Sequence, residues 1–472
     1  MSKVLMVASE AMPFAKTGGL ADVLGALPEA LVARGEEAAV VIPRYRGVAT
    51  DGAARVYADL SMWFGPDQRT ANVYSATRNG VVYYFVDCPA LFDREGIYGD
   101  GGGDFPDNHI RFAVLNRAAL AIVRHVWRPD VVHCHDWQGA LAPIYMRQFF
   151  ATDPTFMGLR VLFTIHNIGY QGKFPPSILP EVGLDPGLFR PDALELFGEV
   201  NLMKGALIYA DAISTVSPTY AREIQGNEFG FGLQDILRAR SANLHGILNG
   251  VDYSVWSPEK DPIIASHYSA DDLSGKAVCK RDLLAEVGLP EANMDRPLIG
   301  IISRFVNQKG FDLIADAMPE IAAMDVALVA LGTGEARYEQ MFRDAAATHP
   351  DRIACYIGYS EPLAHKIEAG ADMFLMPSWY EPCGLNQMYS LRYGTVPVVR
   401  ATGGLHDTVD ESTGFKFYEY SSRALLDALR AAVAVYGRRE VWQAMMLRGM
   451  AKDFSWAASA AQYAALYRSL TP

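Results

Sequence analysis

Short β-branched runs alternate with amphipathic stretches of helical period from one end of this sequence to the other, and few folds accept that pattern. In the first half the strand candidates are residues 4–10, 39–43, 81–87, 131–134, 161–165, 213–216 and 244–248, with helical stretches such as 20–34 and 109–127 between them. The second half continues with strand candidates 298–302, 326–331, 353–357, 373–376, 396–399 and 415–417, and helical patterns at 311–323, 335–347 and 385–392. Strands alternating with helices build βαβ units and mainly parallel sheets. Two such series predict an α/β chain of two Rossmann-like domains, and 472 residues exceed one ordinary core. The rhythm breaks between Asn249 and Arg296, where Pro258, Pro262 and Pro290 interrupt it.

Composition narrows the partners. Half the residues are hydrophobic and 20% are charged, which supplies well-packed interiors and excludes a disordered or fibrous chain. Lys and Arg number 42 against 54 Asp and Glu, a net charge of −12. Such a surface repels nucleic acid and anionic membranes, so any phosphate must be met locally by a few placed cations and backbone amides. The five cysteines are scattered and never in a C-x-x-C pair, so neither a disulfide framework nor a zinc ribbon is expected. The apolar run Val4 to Ala8 is too short for a signal-peptide core, and Glu10 closes it. With no apolar run of about 20 residues, the expectation is a soluble, cytoplasmic protein.

In open α/β sheets, ligands bind beyond the carboxyl ends of the strands, so residues at strand tips carry most of the information. After the first strand comes Lys16-Thr17-Gly18-Gly19-Leu20, where a glycine pair lets amides approach an anion at a helix start and Lys16 adds a cation. The same residues also suit a plain βα turn. His133-Cys134-His135-Asp136-Trp137-Gln138 and Thr164-Ile165-His166-Asn167 place polar and aromatic groups at two further strand tips, as sugar sites do. A zinc reading of His133, Cys134 and His135 lacks further ligands, and burial as satisfied core groups is the default for His133 and Cys134. In the second half, Arg304 and Lys309 flank a loop directly after a strand, suited to a diphosphate or to plain solvation. Leu331-Gly332-Thr333-Gly334 and Ile357-Gly358-Tyr359 again put glycine after a strand. The most informative segment is Pro377 to Gln387, where Glu381 precedes Cys383 and a helix start at Gly384, Leu385 and Asn386. Glu381 there suits either a developing positive charge on a sugar ring or a helix cap. Arg400-Ala401-Thr402-Gly403-Gly404 is one more glycine-rich strand end.

Taken in order, Lys-Thr-Gly-Gly-Leu, His-Asp-Trp-Gln, Thr-Ile-His-Asn, Leu-Asn-Gly-Val-Asp at 248–252, Ser-Arg-Phe with Gln-Lys-Gly, and Glu-Pro-Cys-Gly-Leu resemble the bacterial glycogen synthase and plant starch synthase family. The similarity runs over essentially the whole chain, to the closing Asp453-Phe454-Ser455-Trp456. The resemblance implies a GT-B fold, two Rossmann-like domains facing each other across a deep cleft. The first spans 1–248 on the acceptor side, joined by a closing helix at 456–472; the second, binding the nucleotide sugar, spans 249–455. It implies retaining transfer of glucose from ADP-glucose to the non-reducing end of an α-1,4-glucan, with no metal and no cofactor beyond the substrate. By motif match, Arg304 and Lys309 hold the donor diphosphate, joined by Lys16, Gly18 and Gly19 after closure. Glu381 contacts the transferred glucose, with Asp136, His166 and Asn249 around it. Trp137 and Tyr98 shape the glucose pocket, and Gly358, Tyr359, Cys383, Gly384, Leu385 and Asn386 flank the nucleotide. Two departures stand out: Asn386 replaces a frequent Thr, and Tyr389 stands where the wider fold group often has a second Glu.

A double displacement needs two carboxylates, and these motifs offer one prominent carboxylate, Glu381, with several cations. That balance suits a reaction driven by leaving-group stabilisation. The alternatives are a UDP-glucose-dependent transferase of the same fold and a non-catalytic glucan-binding protein. The four retained residues Lys16, Arg304, Lys309 and Glu381 argue against the latter, and no motif marks the cofactor lysine of a phosphorylase.

Overall fold

A computed structural model describes residues 1–50, 52–101 and 103–471, so Pro472, the last residue of the expected closing helix, lies outside the described residues. The chain divides into two compact units. One comprises Met1–Val216, Ala221–Gly250 and the segment from Trp456 onward; the other comprises Ser217–Tyr220 and Val251–Ser455. Among the described residues no helix is long and apolar enough to cross a membrane.

In the first unit the strands of the main sheet are β1 (Lys3–Val7), β2 (Glu37–Pro43), β3 (Ala54–Phe64), β4 (Asp67–Arg78), β5 (Val81–Asp87), β6 (Val131–His135), β7 (Arg160–Ile165), β8 (Ala212–Thr215) and β9 (Leu244–Gly246). They form one sheet in the order β9-β8-β7-β6-β1-β2-β5-β4-β3. From β9 across to β5 the strands are parallel, and β4 and β3 add an antiparallel edge. Val4, Leu5, Met6 and Val7 are all fully buried, as a central strand covered on both faces requires. The chain leaves β1 toward β2 on one side and returns at β6 on the other, so the carboxyl ends of β1 and β6 flank a switch point. The helix Trp456–Leu470 packs on this unit: Tyr467 Oη bonds His133 Nδ1 at 2.8 Å, Ser459 Oγ donates to Leu248 O at 2.6 Å, and Arg468 pairs with Glu36 at 2.8 Å.

The hairpin β3–β4 is absent from the sequence expectations, for a physical reason. Most of β3 is exposed, and its register shifts between Arg55 and Tyr57 and again between Tyr57 and Leu60. Those bulges break the alternation on which strand recognition depends.

The second unit holds β10 (Leu298–Ile302), β11 (Ala327–Gly332), β12 (Ile353–Ile357), β13 (Met373–Met376), β14 (Val396–Arg400) and β15 (Phe415–Phe417), ordered β12-β11-β10-β13-β14-β15 and all parallel. Alternation along each strand feeds two cores. Ile299 and Ile301 join Phe311, Phe342 and Leu425 on one face, while Leu298, Val329 and Leu331 join Leu283, Ile367 and Phe374 on the other. Here the switch point lies between β10 and β13, which pair only at Ile299 with Met373 and Gly300 with Phe374. Beyond that register the two strands part, and the loops that follow them fill the opening.

Gly310 and Pro377 meet where those loops cross. Gly310 sits at φ 77°, and a Cβ there would lie 2.1 Å from Pro377 O. Gly310→Ala is expected to cost about 2 kcal/mol or more, from the left-handed backbone and the collision together. Thermal unfolding checks this; an unchanged Tm would mean that the loops separate freely.

Candidate active site

The two loops that follow β10 and β13 bring together residues 72 positions apart in sequence. Lys309 Nζ bonds Glu381 Oε2 at 2.6 Å, and Ser378 Oγ donates to the same oxygen at 3.1 Å. Glu381 is buried, 5% exposed, so its charge stands away from water and the lysine answers it. Among the described residues it is no cap for the helix that follows it, since Asn386–Arg392 has no side-chain cap. Backbone contacts hold the loop. Trp379 N donates to Gln308 O at 2.9 Å, Arg400 bonds the carbonyl of Trp379, and Gly404 N donates to Glu381 O at 3.1 Å. Gly403, at φ 44°, lies so close that a Cβ would fall 1.8 Å from Glu381 O. The glycine-rich end of β14 therefore braces the Glu381 backbone.

In the loop after β10, the exposed guanidinium of Arg304 makes no hydrogen bond or ion pair among the described residues. Gly384, Leu385 and Asn386 open the helix Asn386–Arg392, where the first amides of a helix lack intrahelical acceptors. The Asn386 side chain is committed elsewhere, its Nδ2 donating to Ile302 O at 3.0 Å across the gap between β10 and β13. Cys383 is buried. Gly358 and Tyr359 follow β12, with Tyr359 79% exposed.

In the first unit the switch point carries a different set. Asp136 follows β6 directly, at φ 51°, a left-handed conformation costly for a non-glycine residue. Its Oδ1 accepts from His166 N at 2.8 Å, and its own amide donates to Thr164 O at 3.0 Å. Burial pushes the Asp136 carboxyl up to about 7, against the pull of the His166 and Asn167 amides. His166 Nε2 bonds His135 Nδ1 at 2.9 Å, and burial holds the His166 imidazole down to about 3. Asn249 Oδ1 is buried with no partner among the described residues. His133 and Cys134 are fully buried, and both His133 nitrogens are occupied, by Tyr467 and by Thr164 Oγ1 at 2.6 Å. Neither His133 nitrogen is therefore open to a metal.

Lys16, Gly18, Tyr98 and Trp137 lie in arrangements that the motifs alone do not reveal. Lys16 pairs with Asp22 at 2.6 Å. The Thr17 and Gly18 amides donate to Glu10 Oε2 at 2.5 and 3.2 Å, while Gly19 opens the helix Gly19–Ala33 with clear space before it. Tyr98 Oη donates to Glu10 and bonds Ser9 Oγ at 2.7 Å; burial, then the Glu10 charge, raises its phenol above the usual range. Trp137 is buried edge-on against Phe112 and Phe174, at 5.1 and 5.5 Å between ring centres. Glu10 and Ser378 are polar residues to which the strand-tip reading gives no role, and His135 enters it only within the tip motif of β6 and the zinc reading. The signal for Glu10 was available: an acidic residue ending an apolar β run, seven positions before Thr17.

The raised Asp136 carboxyl has a consequence for stability. Between its unfolded value of 3.8 and about 7, the folded chain keeps a proton that the unfolded chain releases. Stability from this group is therefore complete below the unfolded value and lost as pH rises through the folded one. Asp136→Asn keeps the acceptor for His166 N and removes the titration. Its Tm relative to the unsubstituted protein should rise from pH 3.8 to about pH 7 and level off above that; a pH-independent difference would contradict the assignment.

Comparison with known proteins places this geometry. Residues 3–239 match the family model for the starch synthase catalytic domain, and residues 296–434 match that for glycosyl transferases group 1. A glycogen synthase from Koribacter versatilis (strain Ellin345) is 49% identical, with 98% of this chain and 97% of that protein aligned. One from Anaeromyxobacter dehalogenans (strain 2CP-C) is 50% identical over 100% of both. The solved catalytic domain of starch synthase IV from Arabidopsis thaliana, bound to ADP and acarbose, superposes with a TM-score of 0.90 at 34% identity, covering 100% of this chain and 99% of that one. With the two parallel-sheet units, these matches make the chain a GT-B glucosyltransferase belonging to the glycogen synthase and starch synthase family.

Proposed function

We propose that this chain works in the cytoplasm, transferring glucose from ADP-glucose to the non-reducing end of an α-1,4-glucan with retention and releasing ADP. The observation that carries the reading is the Lys309–Glu381 pair at the switch point of the second sheet, with Arg304, whose guanidinium makes no hydrogen bond or ion pair among the described residues, in the same loop after β10 as Lys309. ADP and acarbose in the Arabidopsis relative support the donor and acceptor classes.

A diphosphate reaching Lys309 competes with Glu381 for the ammonium. As the phosphate takes over the cation, the Glu381 carboxylate turns to the sugar and steadies positive charge developing at its ring. Arg304 grips phosphate oxygens bidentately, and Lys309 stabilises the charge left on ADP as the glycosidic bond breaks. The acceptor hydroxyl enters on the face that ADP leaves, and the departing phosphate takes its proton. Gly358, Tyr359, Cys383 and the helix start at Gly384, Leu385 and Asn386 flank the nucleotide. On the first unit, Asp136, His166 and Asn249 face the sugar, Tyr98 and Trp137 shape the wall, and Lys16, Gly18 and Gly19 offer a cation and helix-start amides to phosphate. For that loop to bind an anion through Gly18, the amide must leave Glu10.

Lys309→Ala and Glu381→Gln should each lower kcat by about 100-fold or more, on the scale of deleting one group that stabilises transition-state charge. Circular dichroism should remain native. Near-native turnover in either variant would sink the assignment of these two residues.

A further inference from the structure

We propose that His135 is a positioning residue: its Nδ1–H donates to His166 Nε2 and so fixes His166 as an Nδ1–H donor toward a sugar hydroxyl. The inference rests on the reading of His166 as a sugar-facing group and adds the residue that orients it.

β6 and β7 lie side by side, with His135 opposite Thr164 and His166 two residues beyond. The two imidazoles stand 5.2 Å apart between ring centres, tilted by 30°, with His135 Nδ1 and His166 Nε2 at 2.9 Å. One of those nitrogens carries the proton and the other accepts it. Burial disfavours the charged form of both rings, so each holds a single proton. Two arrangements remain. If His166 Nε2–H donates, the His135 proton must sit on its Nε2, which is buried with no partner among the described residues. That leaves an orphaned N–H in the interior, among the rarest features of folded proteins. If His135 Nδ1–H donates, the unpartnered His135 Nε2 is a bare lone pair and no donor is stranded. The second arrangement places the proton of His166 on Nδ1, which has no partner among the described residues and belongs to a half-buried side chain. A neutral imidazole N–H recognises a hydroxyl oxygen without bringing a second positive charge to the sugar.

The ring of His135 has little freedom to turn. His133 packs against it at 4.0 Å between centres, and His133 is pinned by Tyr467 and Thr164. Thr164 Oγ1 is bonded in turn to Ser214 Oγ at 2.5 Å. The closing helix therefore reaches His135 through one imidazole packed against it at a tilt of 36°.

Neutron diffraction from deuterium-exchanged crystals of the full chain reads the proton positions without reference to activity. Deuterium is expected on Nδ1 of both His135 and His166, with both Nε2 atoms bare; deuterium on His135 Nε2 overturns the proposal. Kinetics supply the functional arm, since an Asn side chain sets an amide N–H near the Nδ1 position and Leu does not. His135→Leu should lose about 10-fold or more in kcat, on the scale of losing the outer hydrogen-bond partner that orients a metal-binding histidine. His135→Asn should recover most of that loss. Equal losses in the two variants, with equal Tm, would overturn the positioning role. Absence of glucose transfer in the unsubstituted protein would instead fail the functional reading and leave the proton positions standing.

Discussion

A carboxylate taken out of water is costly unless a cation or several donors answer it, and the second unit is organised around one such answer. Glu381 is buried, and Lys309 meets it at 2.6 Å from a loop on the neighbouring strand. Removing one partner of a buried pair costs about 3–5 kcal/mol, because the other is left uncompensated. The pairing requires β10 and β13 to be neighbours although β11 and β12 come between them in sequence. It requires those strands to part after two paired positions, and it requires glycine at 310 and 403, where carbonyls of the opposing loops leave no room for a Cβ. Strand order, loop crossing and charge are one arrangement seen at three scales.

The first unit solves a related problem with different groups. Its switch point places a strained Asp136 and two neutral histidines at the tips of β6 and β7. Neutral imidazoles cost less to bury than charged ones and still recognise hydroxyls by direction. Glu10 performs the task that Lys309 performs in the other unit, from the opposite charge: it gathers the Thr17 and Gly18 amides, the Thr17 hydroxyl and Tyr98. A loop with the look of an anion site is thus held by an internal anion.

Much of this was legible in the chain because hydrophobic alternation is strong where strands are buried on both faces. β5, β10, β12, β13 and β15 match their expected bounds, and β1 ends three residues earlier than the pattern suggests, at Val7, where the chain turns into the site loop. The β3–β4 hairpin was illegible because an exposed, bulged edge carries no clean period. At the site, Glu381 and Lys309 were recognisable by motif, yet their bond depends on strand order, which local pattern does not encode. His135 was legible as a member of the tip motif of β6, but not in its use, which depends on a neighbour 31 positions away.

Labelled glucose offered from ADP-glucose, and separately from UDP-glucose, with glycogen as acceptor and Glu381→Ala as control, tests the central claim most directly. Incorporation from ADP-glucose that the substitution abolishes is the predicted result. Incorporation from neither nucleotide sugar, or transfer that survives the loss of Glu381, would contradict it.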